Sequence, residues 1–269
     1  METHTLDYQG RTRRYHVVAP PHPTGHPDLL LYLHGSRQSG RISARFTGRT
    51  FEAVARRAGA ILVYPDGVDH HFNDARRELD EQCRREAIDD VGFLRALVAR
   101  FSPARVFACG YSNGGHMAMR LLLEAPGLLD AAAIFAATAP APDNLLVSTD
   151  AYRPTPVLFM HGTADLIAPY AGGRVELAGA ARGEMTSAPE GAAWWAGLNG
   201  HTGQPRVSRP SPNVTVNVWT DAAHPPVQLW VLRGVGHVVP SGKDVPEILG
   251  SSTDEIIGAE VAAGFFGLG

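Results

Sequence analysis

The residues Gly110-Tyr111-Ser112-Asn113-Gly114 decide the fold of this chain, because they match the pattern Gly-x-Ser-x-Gly after an apolar run. In this pattern a β-strand reverses sharply into a helix, and the serine hydroxyl stands exposed at the turn. The residues two before and two after the serine come close together. Glycine at both positions, Gly110 and Gly114, removes the Cβ atoms that would clash there. The pattern predicts that Ser112 is a nucleophile.

The sequence on either side of the motif supports this interpretation. Residues 105–109 are short, apolar and partly β-branched or aromatic, which is typical of a buried strand. Residues 116–124 are rich in helix formers and end before Pro126-Gly127, which is typical of a helix. The same five-residue pattern also occurs in ordinary flexible turns, so the strand before it and the helix after it carry the prediction.

A serine attacks at neutral pH only when a base takes its proton and a carboxylate orients that base. On this kind of fold the carboxylate and the histidine follow the serine, each after a later strand. Asp165 comes just after the predicted strand 155–160, and His237 lies on a glycine-rich loop after the predicted strand 227–232. The order predicts a catalytic triad of Ser112, Asp165 and His237.

Other residues of the same types fit this order less well. His201 and His224 also follow Asp165, but neither comes directly after a predicted strand. The carboxylates of Asp143 and Asp150 precede the strand that Asp165 follows. The proposed triad is favoured over these competitors because each of its members sits at a predicted strand end.

Acyl transfer also needs hydrogen-bond donors for the oxyanion that develops on the substrate. One predicted donor is the backbone N–H of Asn113, directly after the nucleophile. The other should come from residues 34–38, the loop after the predicted early strand 28–33. There the N–H of Ser36 is favoured over that of Arg37.

Five segments of the chain occur together in an order typical of one enzyme family. They are Leu33-His-Gly-Ser-Arg-Gln38, Asp89-Asp-Val-Gly-Phe93, Gly110-Tyr-Ser-Asn-Gly-Gly115, His161-Gly-Thr-Ala-Asp165 and Gly234-Val-Gly-His237. In these segments the chain resembles the poly(3-hydroxybutyrate) depolymerase-like and feruloyl esterase-like branch of the α/β-hydrolases, over residues 14–269. The resemblance implies an esterase on acyl or aryl esters that uses the triad above, with no metal and no organic cofactor.

The chain departs from that branch at three places. Ser36 and His201 stand where its members often carry cysteine. Residues 238–242 hold no aromatic side chain, whereas secreted members often place tryptophan close after the catalytic histidine. Set against the resemblance, these differences favour a smaller soluble ester or an oligomer over a solid polymer as substrate.

The alternation of predicted strands and helices indicates the α/β class, with a mostly parallel central sheet covered by helices on both faces. Residues 5–8 and 13–18 should form an antiparallel N-terminal hairpin, and residues 251–266 a terminal helix. The length of 269 residues and the hydrophobic content of 44% are typical of one globular domain. We therefore expect a single α/β-hydrolase catalytic domain over residues 1–269.

Composition limits the partners and the compartment. A net charge of -3 gives no reason to expect nucleic acid or an anionic membrane as partner. The N-terminus lacks the apolar segment of a signal peptide, and no stretch approaches a membrane span. Cys83 and Cys109 are expected to be thiols, which suits a reducing compartment. These features favour the cytoplasm and leave a mature secreted or periplasmic form open; they do not indicate an oligomeric state.

Substrate recognition is the least defined part of the sequence. Phe72 and Asn73 follow a predicted strand end within the polar segment 68–86, and either a substrate contact or a solvated loop fits them. The adjacent histidines 70 and 71 do not have zinc-site spacing, so no metal site is predicted. Hydroxyalkanoate oligomers, feruloyl esters and acetyl esters are the expected substrates. A serine peptidase on the same fold and a non-catalytic binding protein are the alternatives.

Overall fold

A computed structural model of the chain describes residues 1–20, 25–177 and 179–268. The strands of the described part are β1 (Glu2–Tyr8), β2 (Arg11–Val18), β3 (Leu29–Leu33), β4 (Ile61–Pro65), β5 (Val106–Tyr111), β6 (Ala131–Phe135), β7 (Val157–Gly162), β8 (Gly173–Leu177), β9 (Ala180–Met185), β10 (Arg206–Ser211), β11 (Val214–Trp219) and β12 (Val227–Leu232). The helices are α1 (Gly40–Phe46), α2 (Thr50–Arg57), α3 (Gln82–Arg85), α4 (Asp90–Phe101), α5 (Asn113–Glu124), α6 (Ala188–Leu198) and α7 (Gly258–Phe266), with a short 3₁₀ helix at Glu247–Leu249.

The main sheet runs in the order β1-β2-β4-β3-β5-β6-β7-β12-β11-β10. Its centre, from β4 to β12, is parallel, whereas β1 and β2 at one edge and β11 and β10 at the other are antiparallel. The predicted α/β fold with a mostly parallel sheet and an antiparallel N-terminal hairpin is confirmed. Because the carboxyl ends of parallel strands meet at one edge, the loops after β3, β5, β7 and β12 are brought together.

Two hydrophobic clusters cover the two faces of this sheet. The alternation of side chains along β3 illustrates the division, because Leu29, Leu31 and Leu33 face one cluster and Leu30 and Tyr32 face the other. The first cluster packs α4, α5 and α6 against the sheet, and the second packs α1, α2 and α7. Because β3 is buried on both faces of the sheet, all five of its residues are apolar or aromatic, without alternating polar positions.

The structure differs from the prediction at the C-terminus. The predicted helix 251–266 begins only at Gly258, because the residues before it form hydrogen bonds with another loop. The N–H of Gly236 donates to the Ser251 carbonyl at 2.8 Å, and the N–H of His237 donates to the Leu249 carbonyl. This segment therefore supports the loop that carries His237 instead of extending the helix.

The β8–β9 hairpin was not predicted from the sequence. It lies apart from the main sheet and covers the region beside Ser112. Elsewhere in the described part, both cysteines are buried thiols. Among the residues placed by the structure, no helix has the length and apolar character needed to cross a bilayer.

Candidate active site

The turn between β5 and α5 has the close backbone approach that its glycines predict. A Cβ atom on Gly110 would lie 2.2 Å from the carbonyl oxygen of Gly114, and one on Gly114 would lie 2.0 Å from that of Leu33. Ser112 itself has φ 53° and ψ -115°, a conformation that side-chain-bearing residues rarely adopt. The Ser112 N–H donates to the Phe135 carbonyl at 2.9 Å, which holds the turn in this strained form.

The structure brings Ser112, Asp165 and His237 together. His237 Nε2 lies 2.9 Å from Ser112 Oγ, and His237 Nδ1 lies 2.7 Å from Asp165 Oδ2. The side chains of His237 and Asp165 are buried. If Nδ1–H donates to the carboxylate, Nε2 carries the lone pair that accepts the serine proton. The geometry therefore allows the hydroxyl of Ser112 to be deprotonated by its neighbouring ring.

The carboxylate of Asp165 is fixed on both of its oxygens. Oδ2 faces His237, while Oδ1 accepts the N–H groups of Ile167 at 2.9 Å and Ala168 at 2.7 Å. Burial alone would raise the pKa of the Asp165 carboxyl. The hydrogen bond and the charge of His237 outweigh that effect, and the pKa is lowered from its ordinary value. Asp165 is therefore ionised at neutral pH and orients the imidazole.

Tyr111, the residue before the nucleophile, contacts the loop that carries His237. Its hydroxyl donates to the His237 carbonyl at 2.8 Å, and its ring centre lies 5.2 Å from the His237 ring centre. The other side of the Tyr111 ring packs against the loop after β3, where a Cβ atom on Gly35 would lie 2.7 Å from it. Sequence reasoning assigned no role to this residue, since the motif specifies only the glycines and the serine.

The two predicted oxyanion donors lie beside the nucleophile. Ser36 lines the same small cavity as Ser112, and Asn113 is the first residue of α5. Within the described residues, the backbone N–H groups of Ser36 and Asn113 have no hydrogen-bond acceptor. The N–H of Arg37, the alternative considered above, donates to the His70 carbonyl at 3.0 Å and is therefore occupied.

His34 shapes the loop that carries Ser36. Its Nδ1 lies 2.8 Å from the Gly35 carbonyl, and its Nε2 accepts the N–H of Gly67 at 2.9 Å. Nδ1 must therefore carry the proton and donate it to the carbonyl. Burial lowers the pKa of His34 to about 4, so the ring is neutral at pH 7. This histidine joins the loops after β3 and β4.

The structure does not place Phe72 and Asn73 at the cavity beside Ser112, which corrects the sequence-based suggestion. Phe72 is fully buried and its ring packs 4.5 Å from the ring of His34. The side chain of Asn73 is buried and donates to the Ile88 carbonyl at 2.8 Å. Phe72 is buried because its ring is apolar, and Asn73 is buried because its amide group has a backbone acceptor. From the segment 68–86 it is Arg76 that reaches the cavity.

The cavity beside Ser112 is small and enclosed. Its walls come from the loops after β3, β4, β7 and β12, from α5 and from the β8–β9 hairpin. The lining residues are Ser36, Arg76, Ser112, His116, Ile167, Ala168, Val175, Leu177, Arg182, Met185 and His237. Sequence reasoning missed the hairpin residues, because the strands that carry them have no clear alternation of apolar and polar side chains.

Among the residues that the structure describes, one group could hold a metal ion, and it lies away from the triad. His201, Asp221 and His224 place their donor atoms within 4.8 Å of one another. They lie next to Pro225, before β12 begins, whereas His237 follows the end of that strand. The expectation that catalysis needs no metal stays a prediction.

No protein-family model matches the chain. NocK of Nocardia uniformis subsp. tsuyamanensis, named as an esterase, is 36% identical over 173 residues, which are 61% of this chain and 48% of that protein. Feruloyl esterase B of Piromyces equi is 27% identical over 243 residues, 86% of this chain and 44% of that protein. The chain thus spans less than half the length of these two relatives.

The solved structure of acetyl xylan esterase from Aspergillus awamori superposes with a TM-score of 0.66 and covers 100% of both chains at 14% identity. The chain therefore has the α/β-hydrolase fold. Esterase PE8 has the same fold, with a TM-score of 0.55 at 18% identity. The fold implied by the resemblance of the sequence motifs is confirmed.

Proposed function

We propose that this α/β-hydrolase is a serine carboxylic-ester hydrolase whose residues 1–269 form one catalytic domain. One observation carries the proposal. The hydroxyl of Ser112, the ring of His237 and the carboxylate of Asp165 form a continuous chain of contacts at 2.9 and 2.7 Å on a strained turn. The esterase names of the sequence relatives support the same reaction class.

In the first step Ser112 Oγ attacks the ester carbonyl carbon while its proton passes to His237 Nε2. Asp165 stabilises the imidazolium that forms and keeps its orientation. The tetrahedral intermediate then collapses, the bond between the carbonyl carbon and the alkoxy oxygen breaks, and His237 gives its proton to the leaving alcohol. The acyl group remains on the Ser112 oxygen.

In the second step water takes the place of the alcohol. His237 removes a proton from the water, and the oxygen attacks the acyl-enzyme carbonyl. Collapse of this second intermediate returns the proton to Ser112 Oγ and releases the carboxylic acid. One ester and one water give one acid and one alcohol, and the protein is unchanged.

The backbone N–H groups of Ser36 and Asn113 are the proposed oxyanion donors in both steps. Both groups are free to donate, and Asn113 lies at the N-terminus of α5, where the helix dipole favours negative charge. Donors of this kind stabilise the transition state by about 3–4 kcal/mol each in comparable sites. Arg37 is not proposed for this role because its N–H already has an acceptor.

Acetyl esters, feruloyl esters and hydroxyalkanoate oligomers remain the proposed substrates. The curated relatives include feruloyl esterase B, and an acetyl xylan esterase shares the fold. The small cavity beside Ser112 supports a compact group on one side of the scissile bond. The proposal requires no metal and no organic cofactor, since all four proton transfers use His237.

The test is hydrolysis of p-nitrophenyl acetate and butyrate by the wild type, by Ser112→Ala and by Ser208→Ala, an exposed serine on β10 as control. The Ser112 variant should lose at least about 10³-fold in kcat, and the control should match the wild type. Unchanged turnover by Ser112→Ala would contradict the proposal. Faster cleavage of peptide p-nitroanilides than of esters would favour a peptidase, and no turnover of either class would favour a binding protein.

A further inference from the structure

Two guanidinium groups line the enclosed cavity beside Ser112. Arg76 comes from the segment after β4, and Arg182 comes from β9 of the covering hairpin. The exposed fractions of these two residues are 5% and 1%. Arginine is almost never buried unless it is paired, so the partners of both groups need to be accounted for.

The pairing of these arginines leaves donors unused. Arg76 binds Asp74 through Nε and Nη2, and its Nη1 donates to no other described residue. Arg182 binds Glu81 through Nη2 and the Ala181 carbonyl through Nη1. The Nε–H of Arg182 is buried and has no acceptor in the part of the chain that the structure covers. A buried donor without a partner costs about 1–3 kcal/mol, so this site favours an incoming acceptor.

The charges around the cavity do not balance. A third guanidinium, Arg84, donates to the carbonyls of Asp74 and Arg76 and has no carboxylate of its own. The buried Arg76 and Arg182 and the half-buried Arg84 therefore share the two carboxylates of Asp74 and Glu81. Burial lowers the pKa of both Arg84 and Arg182, because the charged guanidinium loses hydration there.

His116, which also lines the cavity, adds no charge. His116 Nε2 lies 3.0 Å from the Thr138 carbonyl and donates to it, and burial lowers the pKa of His116 to about 3. The ring is therefore neutral at pH 7. The remaining wall consists of the polar Ser36, Ser112 and His237 and of apolar side chains, and the low local dielectric beside the apolar side chains strengthens the attraction of an anion to the arginines. The apolar lining is Ile167, Ala168, Val175, Leu177 and Met185.

We propose that this cavity receives a carboxylate carried by the substrate, so that the enzyme prefers esters with a free acid group close to the scissile bond. The inference rests on the proposed ester hydrolysis at Ser112. Arg182 Nε and Arg76 Nη1 supply the hydrogen bonds, and the surplus charge supplies the attraction. The carboxylate belongs either to the acyl group, as in a half-ester of a dicarboxylic acid, or to the alcohol, as in an acylated hydroxy acid.

The first test compares charged and neutral esters on the wild type, with kcat/KM measured by acid release. For the acyl side, the kcat/KM of monomethyl glutarate is compared with half the kcat/KM of dimethyl glutarate, because the diester has two ester groups. O-acetylglycolate against its methyl ester, with acetate release as readout, probes the alcohol side. We expect a preference of about 10- to 100-fold for the charged ester in one of the two pairs, equivalent to one or two charge-assisted hydrogen bonds. Equal rates in both pairs overturn the inference while ester hydrolysis stands, whereas no hydrolysis of any ester refutes the proposed function.

The second test uses a matched pair of variants on the covering hairpin. Arg182→Gln should reduce the ratio of charged to neutral kcat/KM at least about 10-fold. Arg174→Gln removes an exposed arginine of β8 that pairs with Glu78, and it should leave the ratio unchanged. A ratio that survives in Arg182→Gln contradicts the inference. If that variant fails to fold, glutarate dianion should still inhibit wild-type hydrolysis of methyl butyrate competitively and glutaramide should not; equal effects of the two overturn the inference.

Discussion

The side chain of Asn113 and the backbone of Phe72 hold each other through a reciprocal pair of hydrogen bonds. The N–H of Phe72 donates to Asn113 Oδ1 at 2.8 Å, and Asn113 Nδ2 donates to the Phe72 carbonyl at 2.9 Å. Asn113 Nδ2 also donates to Asp74 Oδ2 at 2.6 Å. The residue after the nucleophile therefore fixes the segment that carries Arg76 into the cavity.

Replacing Asn113 with alanine should destabilise this segment without removing the proposed oxyanion N–H. The change leaves the N–H and the carbonyl of Phe72 without a partner and removes one of the hydrogen bonds that Asp74 Oδ2 accepts, which costs about 3 kcal/mol. We expect a lower urea midpoint and a kcat/KM reduced at least about 10-fold. Asn213→Ala, at an exposed position, is the control. The same midpoint and activity in Asn113→Ala as in the wild type would show that these contacts contribute neither to stability nor to activity.

Asp165→Asn should keep the geometry of the site but reverse its hydrogen bonding. The Asn carbonyl can still accept the N–H groups of Ile167 and Ala168, while its amide group faces His237. The ring must then carry its proton on Nε2, and it can no longer accept the proton of Ser112. We expect kcat to fall by about 10²- to 10⁴-fold with little change in the melting temperature. Activity within a factor of two of the wild type would argue against the orienting role.

The glycine at position 114 should be intolerant of any side chain. A Cβ atom there would lie 2.0 Å from the Leu33 carbonyl oxygen, so Gly114→Ala must push the start of α5 away from the end of β3. We expect a loss of more than about 3 kcal/mol in the free energy of unfolding, or no folded protein. Gly264→Ala, in the helix α7 with open space around its Cβ position, should instead stabilise by about 0.5–1 kcal/mol. Similar unfolding midpoints for the two variants would contradict the close approach at the turn.

Two buried neutral histidines should make the fold weaker in mild acid. Burial lowers the pKa of His34 to about 4 and that of His116 to about 3, whereas both have a pKa of about 6.5 in the unfolded chain. Below pH 6.5 the unfolded chain binds protons that the folded chain does not, so stability falls as pH falls. Between pH 7 and pH 5 each histidine should cost about 2 kcal/mol.

Urea unfolding at pH 7 and pH 5 measures this difference. His116→Gln, whose amide can still donate to the Thr138 carbonyl, should reduce the loss between the two pH values by about 2 kcal/mol. Asp165 does not act in this window, because its pKa is lowered and its contribution is lost only in stronger acid. A wild type as stable at pH 5 as at pH 7 would contradict the assignment of neutral buried rings.

The elements that the sequence predicted well are those with one dominant local cause. The turn at Ser112 is fixed by the clash that glycine avoids, and the central strands are fixed by uninterrupted apolar runs such as β3. The helix α5 ends at Glu124, before Pro126-Gly127, as predicted. In each case residues close together in the sequence determine the structure, so the sequence alone is sufficient to predict these elements.

The features that the sequence did not predict depend on distant residues. The sequence around Arg182 has no clear alternation of apolar and polar residues. Only the fold shows that Arg182 is buried and pairs with Glu81. Residues 251–257 have a helix-like composition near their end, but backbone pairing of the segment beside them with the loop of His237 delays the helix. Phe72 reads as a candidate contact because it follows a strand end, and its burial against His34 is visible only in three dimensions.

The central claim is that the Ser112 oxygen becomes covalently bonded during turnover. The most direct measurement is mass spectrometry of the protein after reaction with an alkyl fluorophosphonate, followed by peptide mapping. We predict one adduct per chain, on Ser112, with loss of ester hydrolysis in proportion to labelling and greatly slowed labelling in His237→Ala. An adduct on another residue, or full labelling without loss of activity, would contradict the account.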